Sequence, residues 1–334
     1  MGFAGALPFN AVHTGRKNAL YPHPSRRGDP RGGEKVVAHD IRDPRFLEIT
    51  DPDVEVEKLA TGFLFTEGPV WQPYEKHLIF SDMPGDHMRK WTPGAGVTTF
   101  RKPCNKANGN VYDTKGRLVS CEHSTSRVVR TELDGSTTVL ATHWQGKELN
   151  SPNDIIQAKD GSFIFTDPSY GRMEGFGLKR DTELNFRGVY RIPPDRPNGH
   201  EIELLADDFA QPNGLCLTHD EKGLLVNDTE RGHIRYFDVT SDGKLANSRV
   251  WAEVAGEGEG AADGMKLDTA GFLYCTGPGG VQVFDGSGTL LGTIRVPENT
   301  ANFNWGDDDL KSIFMTASTS LYRVRVKIPG RKPF

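Results

Sequence analysis

The chain has 334 residues and a mass of 36.9 kDa, with 36% hydrophobic and 25% charged residues. That composition describes a globular protein with apolar material for a sizeable core. Forty Lys and Arg against 45 Asp and Glu give a formal charge of -5, which argues against binding nucleic acid through a basic face. No apolar run approaches the roughly 20 residues that a membrane span requires.

Residues 1–50 differ from the rest. They carry basic residues, Pro and Gly with little apolar periodicity, and read either as an extended arm that wraps the domain or contacts another subunit, with a homo-oligomer held through it as one expectation, or as a disordered tail. Residues 1–8 are apolar but lack a basic n-region, so no secretory signal is expected. Ala6 stands where a myristoylation signal would want Ser or Thr. Cys104, Cys121, Cys216 and Cys275 form no CxxC pair. They read as buried free thiols of a reducing compartment, which points to the cytoplasm.

From residue 59 the chain repeats. A short β-rich run entered through a turn recurs as KHLIFSD (76–82), GRLVSCE (116–122), GSFIFTD (161–167), GLLVNDT (223–229), GFLYCTG (271–277) and KSIFMTA (311–317). Aligned on Leu78, Leu118, Phe163, Leu225, Leu273 and Ile313, the spacings are 40, 45, 62, 48 and 40. Blades of four strands recur at about 40–45 residues, and the 62-residue gap holds an insertion at about 171–200. A second strand precedes each run: EGPVW, NGNVY, NDIIQ, NGLCL, DGMKL and NFNWG. The expectation is an all-β fold, a six-bladed β-propeller forming one domain over residues 51–334 behind the N-terminal arm. The final run, 321–327, is expected to pair with residues near Val54 to Leu59 and close the ring, because closure removes exposed edges.

The strand opening each blade lines the central channel of a propeller. Glu67, Asn108, Asn153, Asn213, Asp263 and Asn302 hold the equivalent opening position. They should form a ring at one end of the channel. Asp82, Glu122, His123, Asp167 and Asp228 end the antiparallel second strands and should return to the same end. Asn-Gly and Asp-Gly also form ordinary turns, but EGPVW is no turn signature and the position recurs six times. Carboxylates and amide carbonyls are hard oxygen ligands suited to Ca²⁺, Mg²⁺ or Mn²⁺. No His or Cys holds a ring position, which disfavours a structural zinc site.

FTEGPVW, CEH, SPND, FTDPSYG, QPNGL, ADGMKLD and TASTSLYR together resemble the gluconolactonase and senescence-marker-protein (regucalcin) family, over about residues 55–327. The bacterial sugar-lactonase branch is the most similar, given CEH and FTDPSYG. The resemblance implies a six-bladed propeller and one divalent metal ion, usually calcium, held by Glu67, Asn153, Asn213 and Asp263; Mg²⁺, Mn²⁺ and Zn²⁺ are the other candidates. It also implies a small-molecule lactone as substrate, with neither nucleic acid nor membrane as partner. Animal members place an Arg two residues before the asparagine of the ND motif. Ser151 stands there in this chain, so that substrate contact does not carry over.

The chemistry expected is metal-assisted lactone hydrolysis. A metal polarises the carbonyl and stabilises the oxyanion, and a side-chain base should assist the water because calcium acidifies it weakly. Asp263 is the expected base and metal ligand together, and His123 a proton carrier or a satisfied strand-end histidine. Asn108, Glu122, Ser151 and Asp154 are expected at the substrate. Asp154, Asp167 and Asp228 would also orient the ligands around the metal. The insertion at 171–187 is a candidate lid, which would bring Tyr170 and Arg172 to the substrate, and Trp305 would either narrow the mouth or pack in the sixth blade. No GxSxG motif supports a serine hydrolase, and the glycine-rich GEGEGAADG stretch is acidic and reads as a loop. Two further classes stay open: a hydrolase or cyclase for an aromatic or pathway lactone or a phosphotriester on the same scaffold, and a non-catalytic calcium-binding propeller.

Overall fold

The computed structural model describes residues 39–194, 201–332 and 334. Among these residues the strands build six antiparallel sheets of four strands each, one of them extended by a fifth, and a two-stranded ribbon of His143–Trp144 with Lys147–Glu148. The opening strands are Thr66–Gln72, Ala107–Tyr112, Ile155–Gln157, Pro212–Leu217, Met265–Leu267 and Thr300–Gly306. Each pairs with the run found in the sequence: His77–Asp82, Leu118–Glu122, Phe163–Asp167, Gly223–Asp228, Leu273–Gly277 and Ser312–Ala317. Opening strands of successive blades run side by side around the centre. The Gly109 N–H donates to Asn153 O at 2.8 Å and the Gly264 N–H to Ala301 O at 2.9 Å. The fold is a six-bladed β-propeller.

Between blades the core is aromatic and aliphatic, as alternate strand residues face a neighbouring sheet. Trp71 of blade one stacks on Phe314 of blade six with ring centroids 5.4 Å apart. The ring closes there: Glu57–Thr61 supplies the outer strand of blade six, with Glu57 opposite Arg323 and Thr61 opposite Ser320. N- and C-terminal segments thus share one sheet, and no blade edge is left where first meets last.

Residues 1–38 of the expected arm lie outside the described residues. Residues 40–49 are packed onto blade five. Asp40–Ile41 pairs with Leu290–Arg295 as an extra edge strand. A short 3-10 turn, Pro44–Glu48, follows; the Asp43 side chain caps it by accepting from the Arg45 N–H at 2.9 Å. That turn buries Phe46 completely, worth about 2–3 kcal/mol for a side chain of this size. Structurally, the body of the propeller therefore begins before residue 51. The insertion in blade three is shorter than the spacing suggested, because Arg187–Ile192 is that blade's third strand.

Candidate active site

All six ring residues are buried, between 2% and 8% exposed. The glycine that follows four of them explains the motif better than a turn does. A Cβ on Gly68 would strike the backbone oxygen of Asn108, one on Gly109 that of Asn153, one on Gly214 that of Asp263, and one on Gly264 the side chain of Asn302. Glycine here marks a strand running against the next blade's backbone. Close approach pulls the six opening residues into one ring.

Three acidic residues share this end of the channel. Glu67 Oε2 accepts from the Gly68 N–H at 2.9 Å, and Asp154 Oδ1 accepts from the Ile155 N–H at 2.9 Å. Burial pushes the Glu67 carboxyl up, and the charge of Asp154 adds to that; the Gly68 N–H, Asn302 and Lys266 pull it back. Asp263 is driven well above the carboxylate range by burial first, then by the charges of Glu67 and Asp154. Asp154 is raised by burial and relieved by Lys266. These carboxylates crowd one another in a low-dielectric site, the situation that a bound cation relieves.

Asparagine geometry points the same way. Asn213 Nδ2 donates to Thr229 Oγ1 at 3.1 Å, and that hydroxyl donates to Ala262 O at 2.6 Å. Asn213 Oδ1 is left buried with no hydrogen-bond partner. An orphaned buried carbonyl oxygen is costly unless something binds it. Among the described residues no three His, Cys, Asp or Glu side chains close into a metal cage. The candidate set is half amide, Glu67 and Asp263 with Asn153 and Asn213, and its all-oxygen chemistry fits a hard divalent ion.

Asp82, Asp167 and Asp228 do the same job in three blades. Each carboxylate receives two successive backbone N–H groups from the segment entering its own opening strand. The distances are 2.9 and 3.4 Å from Leu64 and Phe65 to Asp82, 2.8 and 2.7 Å from Asn150 and Ser151 to Asp167, and 2.8 and 3.1 Å from Ala210 and Gln211 to Asp228. They fix the segments that deliver Glu67, Asn153 and Asn213. Glu122 differs from them: it accepts from Thr125 Oγ1 at 2.6 Å and from Arg127 Nε at 2.5 Å, so its carboxylate is occupied away from a substrate.

Several residues expected at the substrate hold the insertion instead. Ser151 is fully buried; its hydroxyl donates to Pro168 O at 2.5 Å and accepts from the Gly171 N–H at 3.0 Å. Arg172 is buried, and its guanidinium donates to Asn150 O at 2.5 Å, to Leu149 O and to Asp181 O at 3.2 Å, with Glu148 paired at 2.9 Å. It anchors the insertion because a buried guanidinium needs every donor satisfied. Tyr170 is buried beside it and interacts with Thr229, the residue that orients Asn213. Trp305 lies at the other end of its strand and packs edge-on against Tyr274 at 4.9 Å and Phe303 at 5.6 Å. It is a core residue and lines the far end of the channel, where a cavity of about 200 Å³ opens between Val70, Tyr112, Leu217 and Arg331.

The insertion forms a strap from blade three across blade two to blade one. Lys106 Nζ donates to Gly175 O at 2.7 Å. Phe176 meets Phe65 edge-on at 5.4 Å. His123 lies beneath it, fully buried: Nδ1–H donates to Phe176 O at 3.0 Å and Nε2 accepts from Asn108 Nδ2 at 3.2 Å. Burial lowers its pKa to about 4, outweighing the Phe176 carbonyl. At neutral pH the imidazole is uncharged with both nitrogens engaged, so it positions Asn108 and the strap and has no free nitrogen for a proton relay.

Residues 65–319 match the family model described as SMP-30/Gluconolactonase/LRE-like region. The chain belongs to this family. It is 32% identical over 313 residues to a gluconolactonase of Zymomonas mobilis, covering 86% of this chain and 85% of that one. It is 26% identical over 293 residues to a pentonolactonase of Haloferax volcanii, covering 80% and 93%. Among solved structures, a gluconolactonase from Xanthomonas campestris superposes with a TM-score of 0.81 at 32% identity, covering 90% of this chain and 99% of that one.

Lys266, Phe65 and Thr229 contact the ring residues or the strap without having been singled out in the sequence. Lys266 stands inside DGMKL, where it reads as an ordinary outward strand residue; its Nζ reaches Asn302 Oδ1 at 3.0 Å. Only the three-dimensional ring reveals that contact.

Proposed function

We propose that the protein opens the ring of a sugar-type lactone at the mouth of the propeller, using one divalent cation, with calcium favoured by the donors. Family membership and relatives named gluconolactonase and pentonolactonase support the lactonase class. The observation that carries the metal is the unpartnered carbonyl oxygen of Asn213 beside three buried, mutually repelling carboxylates. Glu67, Asn153, Asn213 and Asp263 would hold the ion, and when bound it would polarise the lactone carbonyl and stabilise the oxyanion.

The chain's own residues supply the rest. Asp263 takes the proton from the attacking water; the cation it would hold keeps its carboxylate ionised and able to accept that proton. Asn108, held at Nδ2 by His123, and Asp154 lie beside the reacting position to receive substrate hydroxyls. Phe176 on Phe65 shields one side of the mouth from water. Thr229 and Asp228 fix Asn213, and Asp167 fixes the segment leading to Asn153. The amide and carboxylate walls favour a polyhydroxy lactone; the phenylalanine pair leaves an aromatic lactone as the second reading. Four buried free cysteines are consistent with a reducing, cytoplasmic setting, and no described helix is long and apolar enough to cross a membrane.

The test is hydrolysis of glucono-1,5-lactone and of dihydrocoumarin, followed by proton release. Faster turnover of the sugar lactone supports the reading. Turnover of the aromatic lactone alone selects the alternative.

A further inference from the structure

Lys266 opens a question that the metal reading leaves unanswered. It lies three residues past Asp263, in the opening strand Met265–Leu267 of blade five, and its side chain reaches from the far-end cavity back toward the ring. Nζ donates to Asn302 Oδ1 at 3.0 Å and lies 5.4 Å from the centroid of the Phe303 ring. Asn302 Oδ1 also accepts from the Phe303 N–H at 2.9 Å, so the amide is held from two sides with its oxygen toward the ammonium. Gly264, the residue after Asp263, has no room for a Cβ against the same Asn302 side chain. The Asn302 side chain is therefore fixed by packing as well as by hydrogen bonds, and it holds the half-buried Lys266 ammonium against the ring.

Its charge reaches all three carboxylates: Lys266 favours the ionised form of Glu67, of Asp154 and of Asp263. With a cation bound and all three carboxylates ionised, three carboxylates and one ammonium leave two negative charges, which one divalent ion neutralises. We propose that Lys266 is a built-in cation of the channel, a positioning residue that holds Asn302 and limits the ring to a single, moderately bound divalent ion. The proposal rests on the metal reading above. Its sign is unusual: a residue that merely props up the site weakens cation binding when removed, whereas a resident positive charge opposes the incoming ion, so its removal tightens binding.

The experiment is calorimetric titration of Ca²⁺ into EDTA-stripped protein: wild type, Lys266→Met, Lys266→Gln and Lys266→Arg. The methionine keeps the stem, the glutamine keeps a polar contact for Asn302, and the arginine keeps the charge. Loss of one unit charge close to a divalent ion in a partly buried site is expected to tighten binding by about tenfold or more. Methionine and glutamine variants should both show this, with a second, weaker equivalent of calcium allowed by the extra negative charge, while arginine stays near wild type. The stripped methionine variant should also melt below stripped wild type, because its three carboxylates lose their counter-charge. Weaker or unchanged calcium binding in both neutral variants, with intact circular dichroism, overturns the proposal. No calcium binding by wild type overturns the metal reading itself, and the two failures are thus distinct.

Discussion

The buried imidazole of His123 makes a quantitative expectation. In the unfolded chain a histidine takes its proton near 6.5; in the folded protein burial lowers that to about 4. Between these values the unfolded state binds a proton that the folded state refuses, so stability must fall as pH drops from 6.5 towards 4. At 1.36 kcal/mol per pKa unit the loss is about 3 kcal/mol. His123→Asn removes this titration while keeping an N–H near the position of Nδ1 for Phe176 O. The variant should cost about 1–3 kcal/mol at pH 7.5, from the acceptor lost to Asn108 and the space left behind. Urea unfolding of both proteins at pH 7.5, 6, 5 and 4 isolates the effect, since every other group titrates in both. The difference should shift by about 3 kcal/mol in the variant's favour on going to pH 4, closing or reversing the gap. A constant gap across that range would refute the buried neutral histidine. A kcat loss beyond about a hundredfold in the variant, with KM unchanged, would restore His123 to proton transfer.

Other expectations follow from the ring and its supports. Asp263→Asn should lower kcat by about 10²–10⁴-fold with the fold intact by circular dichroism, and retained turnover would remove it as the base. Gly214→Ala places a methyl group on the backbone oxygen of Asp263; it should cost about 1–3 kcal/mol in urea unfolding and weaken calcium binding, and an unperturbed variant would show that close blade approach does not set the ring. Phe46→Ala should cost about 3–5 kcal/mol, because the side chain is fully buried on blade five; a loss under 1 kcal/mol would show that residues 40–49 are dispensable to the body.

The repeat made the architecture legible because every blade needs the same two strands and the same turn. The repeat singles out six equivalent positions, and the family resemblance narrows them to Glu67, Asn153, Asn213 and Asp263. The contacts of the other residues were not legible for one physical reason: sequence gives position along a strand but not what a side chain spends its hydrogen bonds on. Ser151 and Arg172 stand next to the ring, yet their polar atoms are used to hold the strap. Trp305 opens no mouth, since three residues of strand beyond Asn302 carry it to the other end of the channel. Lys266 is the converse case: a residue three positions past Asp263 whose long side chain returns to the ring, which strand periodicity cannot show. The packing of residues 40–49 on blade five was not legible because Pro, Gly and Arg dominate the composition there, while the buried anchors Phe46 and Ile49 are too few to make a pattern.

The most direct test of the account is lactone hydrolysis by protein stripped with EDTA and then reloaded with Ca²⁺, Mg²⁺, Mn²⁺ or Zn²⁺, with glucono-1,5-lactone as substrate and Asn213→Ala alongside. Activity should vanish on stripping, return with calcium above the spontaneous rate, and fail to return in the Asn213 variant at the same calcium concentration. Full activity in the stripped wild-type protein would contradict a metal-assisted site.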